Sequence, residues 1–245
     1  MLHRLFRVVG RSALLITASV TVAGAANMAV KAPPPAPPPA VSTWTGLYVG
    51  INGGGDWGHT SWTYANGAPA PHDASGGLFG GTVGYNWQVA PSWVVGVEGD
   101  WDWSRITGST ACPNNTFSCQ SRIKGFSTAR GRVGYTWDKW MLYATGGGAW
   151  GRVTIQTVDS AGPVACLNGA TSATCGTTST RNGWTAGLGV EGFLWQNVSG
   201  KLEWLHYDLG TGNFGVDALA ANPVSSRQTG NMLRVGLDWH IANTK

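Results

Sequence analysis

No apolar run in this chain reaches the ~18 residues that a membrane-crossing helix needs. Charge is also scarce. Only 11% of the 245 residues are Asp, Glu, Lys or Arg, against ~25% in an ordinary soluble domain. Few charges without a spanning helix leave alternating strands as the way to face lipid. Catalytic signatures are missing as well: there is no G-x-S-x-G elbow and no H-E-x-x-H helix. Gly53-Gly54-Gly55 and Gly146-Gly147-Gly148 are followed by no Lys-Ser/Thr, so they do not form phosphate loops. Cysteine is limited to four residues, and none has the Cys-x2-4-Cys spacing that zinc prefers. The formal charge of +4 includes Arg4, Arg7 and Arg11, and without these three it falls to +1. Net charge therefore gives no support to a nucleic-acid partner.

Tryptophan and glycine are abundant, at 14 and 37 residues. The tryptophans fall near the ends of segments roughly ten residues long. Trp44 opens one segment and Trp57 closes it; Trp87, Trp93, Trp137, Trp140, Trp195 and Trp239 form one level. Trp101, Trp103, Trp150, Trp184 and Trp204 form the other. An indole has an apolar body and one N–H, which suits a membrane–water boundary. Two such belts a strand length apart predict an all-β chain forming an eight-stranded antiparallel up-and-down transmembrane β-barrel.

Three regions are expected. Residues 1–25 read as a cleaved signal peptide: three arginines, a mostly apolar Ala13 to Ala23 too short to span, and Ala23-Gly24-Ala25 as cleavage site. Residues 26–43 carry Pro33–Pro35 and Pro37–Pro39, an extended spacer that cannot join a sheet. Residues 44–245 hold the barrel, with strands expected near 44–57, 77–88, 92–104, 124–137, 140–152, 182–195, 198–208 and 231–241. Period-two alternation sets Leu47, Val49 and Ile51 against Tyr48, Gly50 and Asn52. It sets Trp93, Val95, Val97, Trp101 and Trp103 against Glu98, Asp100 and Asp102, and Val133 and Tyr135 against Lys124, Thr128, Arg130 and Arg132. Short turns near 89–91, 138–139 and 196–197 alternate with long links at 59–76, 105–122, 157–181 and 209–227, the layout of outer-membrane barrels.

The polar face carries Glu98, Asp100, Arg130, Arg132, Glu191, Lys201, Glu203, Arg234 and Asp238. Eight strands leave an interior just wide enough for side chains to fill. Charges buried there must pair, so a closed polar core is expected, with a narrow ion path as the competing reading. Cys112 and Cys119 enclose six residues, and Cys166 and Cys175 enclose eight. Export to an oxidising compartment favours local disulfides that staple loops, without fixing their connectivity. His206 and Asp208, sharing a face near the outer leaflet, are the candidates for an enzymatic alternative; His59 and His72 are those for a metal or haem site. The expectation is no catalytic residues, no metal and no cofactor.

Several segments resemble a known family. These are Trp44-Thr45-Gly46-Leu47-Tyr48-Val49-Gly50, Gly80-Gly81-Thr82-Val83-Gly84-Tyr85-Asn86-Trp87 and Arg130-Gly131-Arg132-Val133-Gly134-Tyr135. Leu142-Tyr143-Ala144-Thr145-Gly146-Gly147, the run from Leu202 to Gly210, and Arg234-Val235-Gly236-Leu237-Asp238-Trp239 complete the ordered set. Together they are similar to the small alphaproteobacterial outer-membrane β-barrel proteins, surface-antigen and opacity-like, often labelled porins. The resemblance implies a Gram-negative outer-membrane location, exposed loops, and outer-membrane lipid, lipopolysaccharide and the insertion machinery as partners. The filled interior of an eight-stranded barrel adds the expectation of a structural or cell-surface role with little or no pore activity; a narrow porin-like channel, or haem or host-surface binding by loops, is the alternative. Such barrels usually end on an aromatic residue, where this chain has Ile241.

Overall fold

The computed structural model describes residues 43–64, 66–113, 116–159, 161–165, 171–172, 174–214 and 224–241. The expected signal peptide and nearly all of the proline spacer lie outside the described residues, as does Cys166. The strands are β1 (Gly46–Thr63), β2 (His72–Ala90), β3 (Trp93–Ala111), β4 (Phe117–Trp137) and β5 (Trp140–Asp159). They continue with β6 (Val164–Ala165), β7 (Thr171–Ser172), β8 (Thr174–Trp195), β9 (Val198–Phe214) and β10 (Val224–His240). Eight of them close into an antiparallel barrel in the order β1-β10-β9-β8-β5-β4-β3-β2, while β6 and β7 pair only with each other. Neighbours in sequence are neighbours in the sheet, so the barrel is an up-and-down meander, closed where β1 pairs with β10.

Between the belts the period-two pattern sorts by polarity. Leu47, Val49, Ile51, Val83, Val97, Leu188, Val235 and Leu237 are exposed on the outside. Tyr48, Asn52, Thr82, Glu98 and Asp100 are buried inside. Water would not tolerate so broad an apolar surface, whereas acyl chains do. Twelve of the tryptophans point outward. Trp87, Trp93, Trp137, Trp140, Trp195 and Trp239 ring the end with short turns, and Trp57, Trp101, Trp103, Trp150, Trp184 and Trp204 ring the other. On β5 the belts are ten residues apart, Trp140 to Trp150; at ~3.3 Å per residue and ~40° tilt this spans about 25 Å.

Two residues need reassignment. Trp44 is not a belt residue: it precedes β1, is 1% exposed, and packs inside the barrel mouth on Phe193 at 4.4 Å between ring centroids. Lys124 does not face inward with Thr128 and Arg130. The register of β4 slips between Ile123 and Gly125 on both of its edges. A bulge of one residue reverses the alternation, so Lys124 is exposed while Ile123 and Phe126, on either side, are buried.

The expected long links are mostly strand. β1 runs on to Thr63 and β2 begins at His72; β3 runs to Ala111 and β4 begins at Phe117. Above the outer belt the polarity inverts. Trp62, Leu78, Ile106, Ile123, Phe126, Val153, Ile155, Leu205, Leu209 and Met232 form one buried cluster. Outward positions there are polar, including Arg105, Thr107, Arg122 and Arg152. This half of the barrel is built like a soluble one, with its apolar side chains within. A disulfide between Cys112 and Cys119 closes the β3–β4 tip, and both cysteines are buried in that cluster. At the opposite mouth Trp44, Val94, Met141, Tyr143 and Phe193 form a second cluster.

Candidate functional site in the barrel interior

Between the two apolar clusters lies a charged layer built from five strands. β3 supplies Glu98, Asp100 and Asp102; β4 supplies Arg130 and Arg132; β8 supplies Glu191. β9 supplies Lys201 and Glu203, and β10 supplies Arg234 and Asp238. Each residue reaches the axis because strand alternation aims every second side chain inward.

The cations act as bridges. Arg130 bonds Glu98, Asp100 at 2.7 Å and Glu203 at 2.8 Å. Arg234 reaches Glu203 at 2.5 Å, Asp102 at 2.9 Å and Asp100 at 3.4 Å. Arg132 meets Glu191 at 2.5 Å and Glu98 at 3.4 Å. Lys201 Nζ donates to Glu98 at 3.0 Å and lies 3.2 Å from Asp238 Oδ2, outside hydrogen-bonding geometry. The charged side chains of these pairs are 0–1% exposed. The planar fork of arginine makes such multiple contacts possible.

Neutral groups saturate the remaining oxygens. Thr82 and Thr128 hydroxyls donate to Asp100 at 2.8 and 2.6 Å. Tyr48 Oη donates to Glu98 at 2.8 Å, Tyr143 Oη to Glu203 at 3.1 Å and Ser199 Oγ to Glu191 at 2.6 Å. The Arg132 guanidinium also lies 4.2 Å from the centroid of the Tyr143 ring, a cation–π contact. The inward tyrosines lie where the neighbouring strand leaves room. Tyr48 is registered opposite Gly84 and Tyr143 opposite Gly189. A Cβ at either glycine would overlap the phenol ring, so the close approach requires glycine.

Asp102 is the carboxylate that the sequence set of nine omits, although it shares parity with Glu98 and Asp100. With it, six carboxylates face four cations. Alternation sets Tyr48 on the inward face, where the structure has it; the bonds of Tyr48 and Tyr143 to the carboxylates were not read. Their signal was available, since each aromatic stands opposite a glycine on the next strand.

The remaining candidates do not converge. His59 is exposed outside and pairs with Asp73 at 2.9 Å, while His72 is buried inside and bonds Ser121 at 2.7 Å. Successive parity places the two histidines on opposite faces of the sheet, so they cannot share a metal or haem. His206 Nδ1 lies 3.1 Å from Asn231 Oδ1. Asp208, beyond the outer belt, accepts from Arg227 at 2.6 Å and from the Gly210 N–H at 2.8 Å. Those bonds hold its carboxyl below the usual range. Thus His206 and Asp208 have separate partners. Among the described residues no three His, Cys, Asp or Glu side chains gather as a metal site. Cys175 is buried and disulfide-bonded, and the other cysteine of its expected pair, Cys166, lies outside the described residues.

Comparison with known proteins agrees with this architecture. The profile of the outer membrane protein beta-barrel domain matches residues 15–240. The 31 kDa outer-membrane immunogenic protein of Brucella melitensis is 32% identical, with 89% of this chain and 93% of that protein covered. The 22 kDa outer membrane protein of Rhizobium leguminosarum is 31% identical, with 70% and 71% covered. Likeness to solved structures is slight: OprG of Pseudomonas aeruginosa has 11% identity and a TM-score of 0.43, with 80% of this chain and 97% of that chain covered. The apolar belt-bounded exterior, the closed eight-strand meander, the profile match and the Brucella relative establish that the chain belongs to the outer membrane protein beta-barrel domain family and resides in the outer membrane.

Proposed function

We propose that this protein is a structural, surface-displaying element of the outer membrane, without catalytic activity and closed to solutes along its axis. The carrying observation is the layering of the lumen: an apolar cluster at each end and a cross-bridged ion layer between them. A solute crossing this axis would have to separate ion pairs that have little water to replace them, a step costing several kcal/mol for each charge. Outward, the strands carry their loops beyond the bilayer, where they face the surroundings of the cell. The relatives described as outer-membrane immunogenic proteins fit such a display role. Lipid and lipopolysaccharide are then the barrel's lateral partners, and the insertion machinery its assembly partner.

Planar-bilayer recording of purified protein tests this reading. The expected result is no steady unitary conductance. A large, stable open state in the wild type would overturn it and favour the channel reading. With six carboxylates facing four cations, such a channel would prefer cations.

A further inference from the structure

We infer that the outward face of β3, β4 and β5 carries a built site for the anionic headgroup of an outer-leaflet glycolipid, held by Arg105, Arg122, Lys124 and Arg152. All four are exposed. Arg105 stands two residues beyond Trp103, and Arg152 two beyond Trp150. Two residues of strand rise ~7 Å, which moves a side chain from the tryptophan belt into the polar headgroup zone, ~5–7 Å deep on each side of the hydrocarbon. The height is therefore that of phosphate or carboxylate groups on lipid, not of acyl chain and not of bulk water.

The four residues are also brought together laterally. Arg105 and Lys124 both lie in the register break between the Trp103–Gly125 and Ile106–Ile123 pairs. Arg152 is registered opposite Gly125, and Arg122 opposite Thr107 and Thr154. The bulge at Lys124 matters here. Unbroken alternation would bury this ammonium among Ile123 and Phe126; the slipped register turns it outward beside the arginines.

No acid answers these cations. Among the described residues, none of the four has an ion pair or hydrogen bond from its side chain. The outward carboxylates on this side are Asp73, which His59 holds at 2.9 Å, and Asp159 at the far end of β5. The opposite side differs, because Arg227 is matched by Asp208 at 2.6 Å. Just beyond Arg122 a polar cleft of about 460 Å³ opens among Thr107, Ser109, Gln120 and Gln156, with Asp73 at its rim. Hydroxyl and amide groups at that position suit sugar. An anion at the belt and a saccharide beyond it describe one molecule, a phosphorylated or acidic glycolipid. Unpaired cations next to lipid attract such headgroups at about 1 kcal/mol each, or roughly fivefold in affinity.

The test uses full-length folded protein in phosphatidylcholine vesicles, with bis-phosphorylated lipid A, dephosphorylated lipid A, inorganic phosphate, or none of these. The readout is the temperature at which the compact gel form is lost. Bis-phosphorylated lipid A should raise this midpoint for the wild type and for Lys139→Gln, a charge control at the opposite mouth. Dephosphorylated lipid A should not raise it. In the combined Arg105→Gln, Arg122→Gln, Lys124→Gln, Arg152→Gln variant, the lipid A content giving half the shift should rise about tenfold or more. Should that variant not fold, Arg105→Gln with Arg152→Gln should show a smaller loss in the same direction. The proposal is overturned if the wild type gains nothing, if the variant gains equally, or if inorganic phosphate alone gives the same shift. It rests on the outer-membrane placement and not on the closed axis, so conductance recordings cannot rescue or sink it.

Discussion

At the scale of single residues, the interior ion layer sets the energetics. Arg234 touches three carboxylates, Asp100, Asp102 and Glu203. Arg234→Met would keep the volume but leave Asp102 without its cation and Asp100 and Glu203 with Arg130 alone. Removing one partner of a buried pair typically costs about 3–5 kcal/mol, and urea unfolding followed by tryptophan fluorescence should show a loss of that size. Gly84→Val should also destabilise, by about 1–3 kcal/mol, because its Cβ would enter the Tyr48 ring. Much at this scale was legible. Alternation alone identified the inward Glu98, Arg130 and Glu203 and the outward Val97, Val133 and Tyr135, since lipid and lumen impose opposite polarity on successive positions. Lys124 was misplaced because alternation was carried unbroken from Thr128 to Lys124; the mark of the bulge is subtle, two apolar residues, Ile123 and Phe126, an odd number of positions apart. Trp44 misled for a different reason: an indole satisfies a lumen plug as well as a lipid boundary.

At the scale of elements, the outer halves of the strands were the illegible part. Beyond the belts the outward residues turn from Trp and Val to Ser, Thr and Arg, so the apolar contrast that marks a lipid-facing strand vanishes. What remains is Ile106, Ile123, Val153 and Ile155 recurring with polar residues between, a pattern that reads as loop until the strand is seen to continue. These hairpins are held by their own small core, and His72 is part of it. It packs against Trp62 at 5.6 Å between ring centroids and bonds Ser121 at 2.7 Å. Burial holds its pKa below the ordinary 6.5. The open hairpin therefore takes up a proton more readily than the closed one, and closure weakens as pH falls below about 6.5, down to the lowered value. Once the intrinsic pH dependence of amide exchange is divided out, the opening equilibrium of the β1–β2 tip read by hydrogen exchange should rise on acidification over that window. His72→Gln, whose uncharged amide can still bond Ser121, should flatten the response.

For the molecule as a whole, closure depends on one seam. β1 and β10 pair without a break from Tyr48–His240 to Thr63–Ser225, and Ile241 N–H donates to the Leu47 carbonyl at 2.8 Å. Ile241 is exposed at the lipid-facing edge of that seam, next in phase after Trp239. If the insertion machinery reads an aromatic terminus, Ile241→Phe should speed the appearance of the compact gel form after export without moving its melting midpoint, as pulse-labelling would reveal. The upper barrel has its own consequence. From Ser127, registered between Trp101 and Trp150, β4 continues ten residues to Phe117, which at ~3.3 Å and ~40° lifts the tip about 25 Å. The barrel thus stands above the lipid as a turret roughly as tall as the hydrocarbon is thick. Its flanks are laddered backbone, which a protease cannot thread into its cleft. An antibody gripping those flanks must bridge residues from adjacent strands, so linear peptides copied from single strands would imitate the turret poorly.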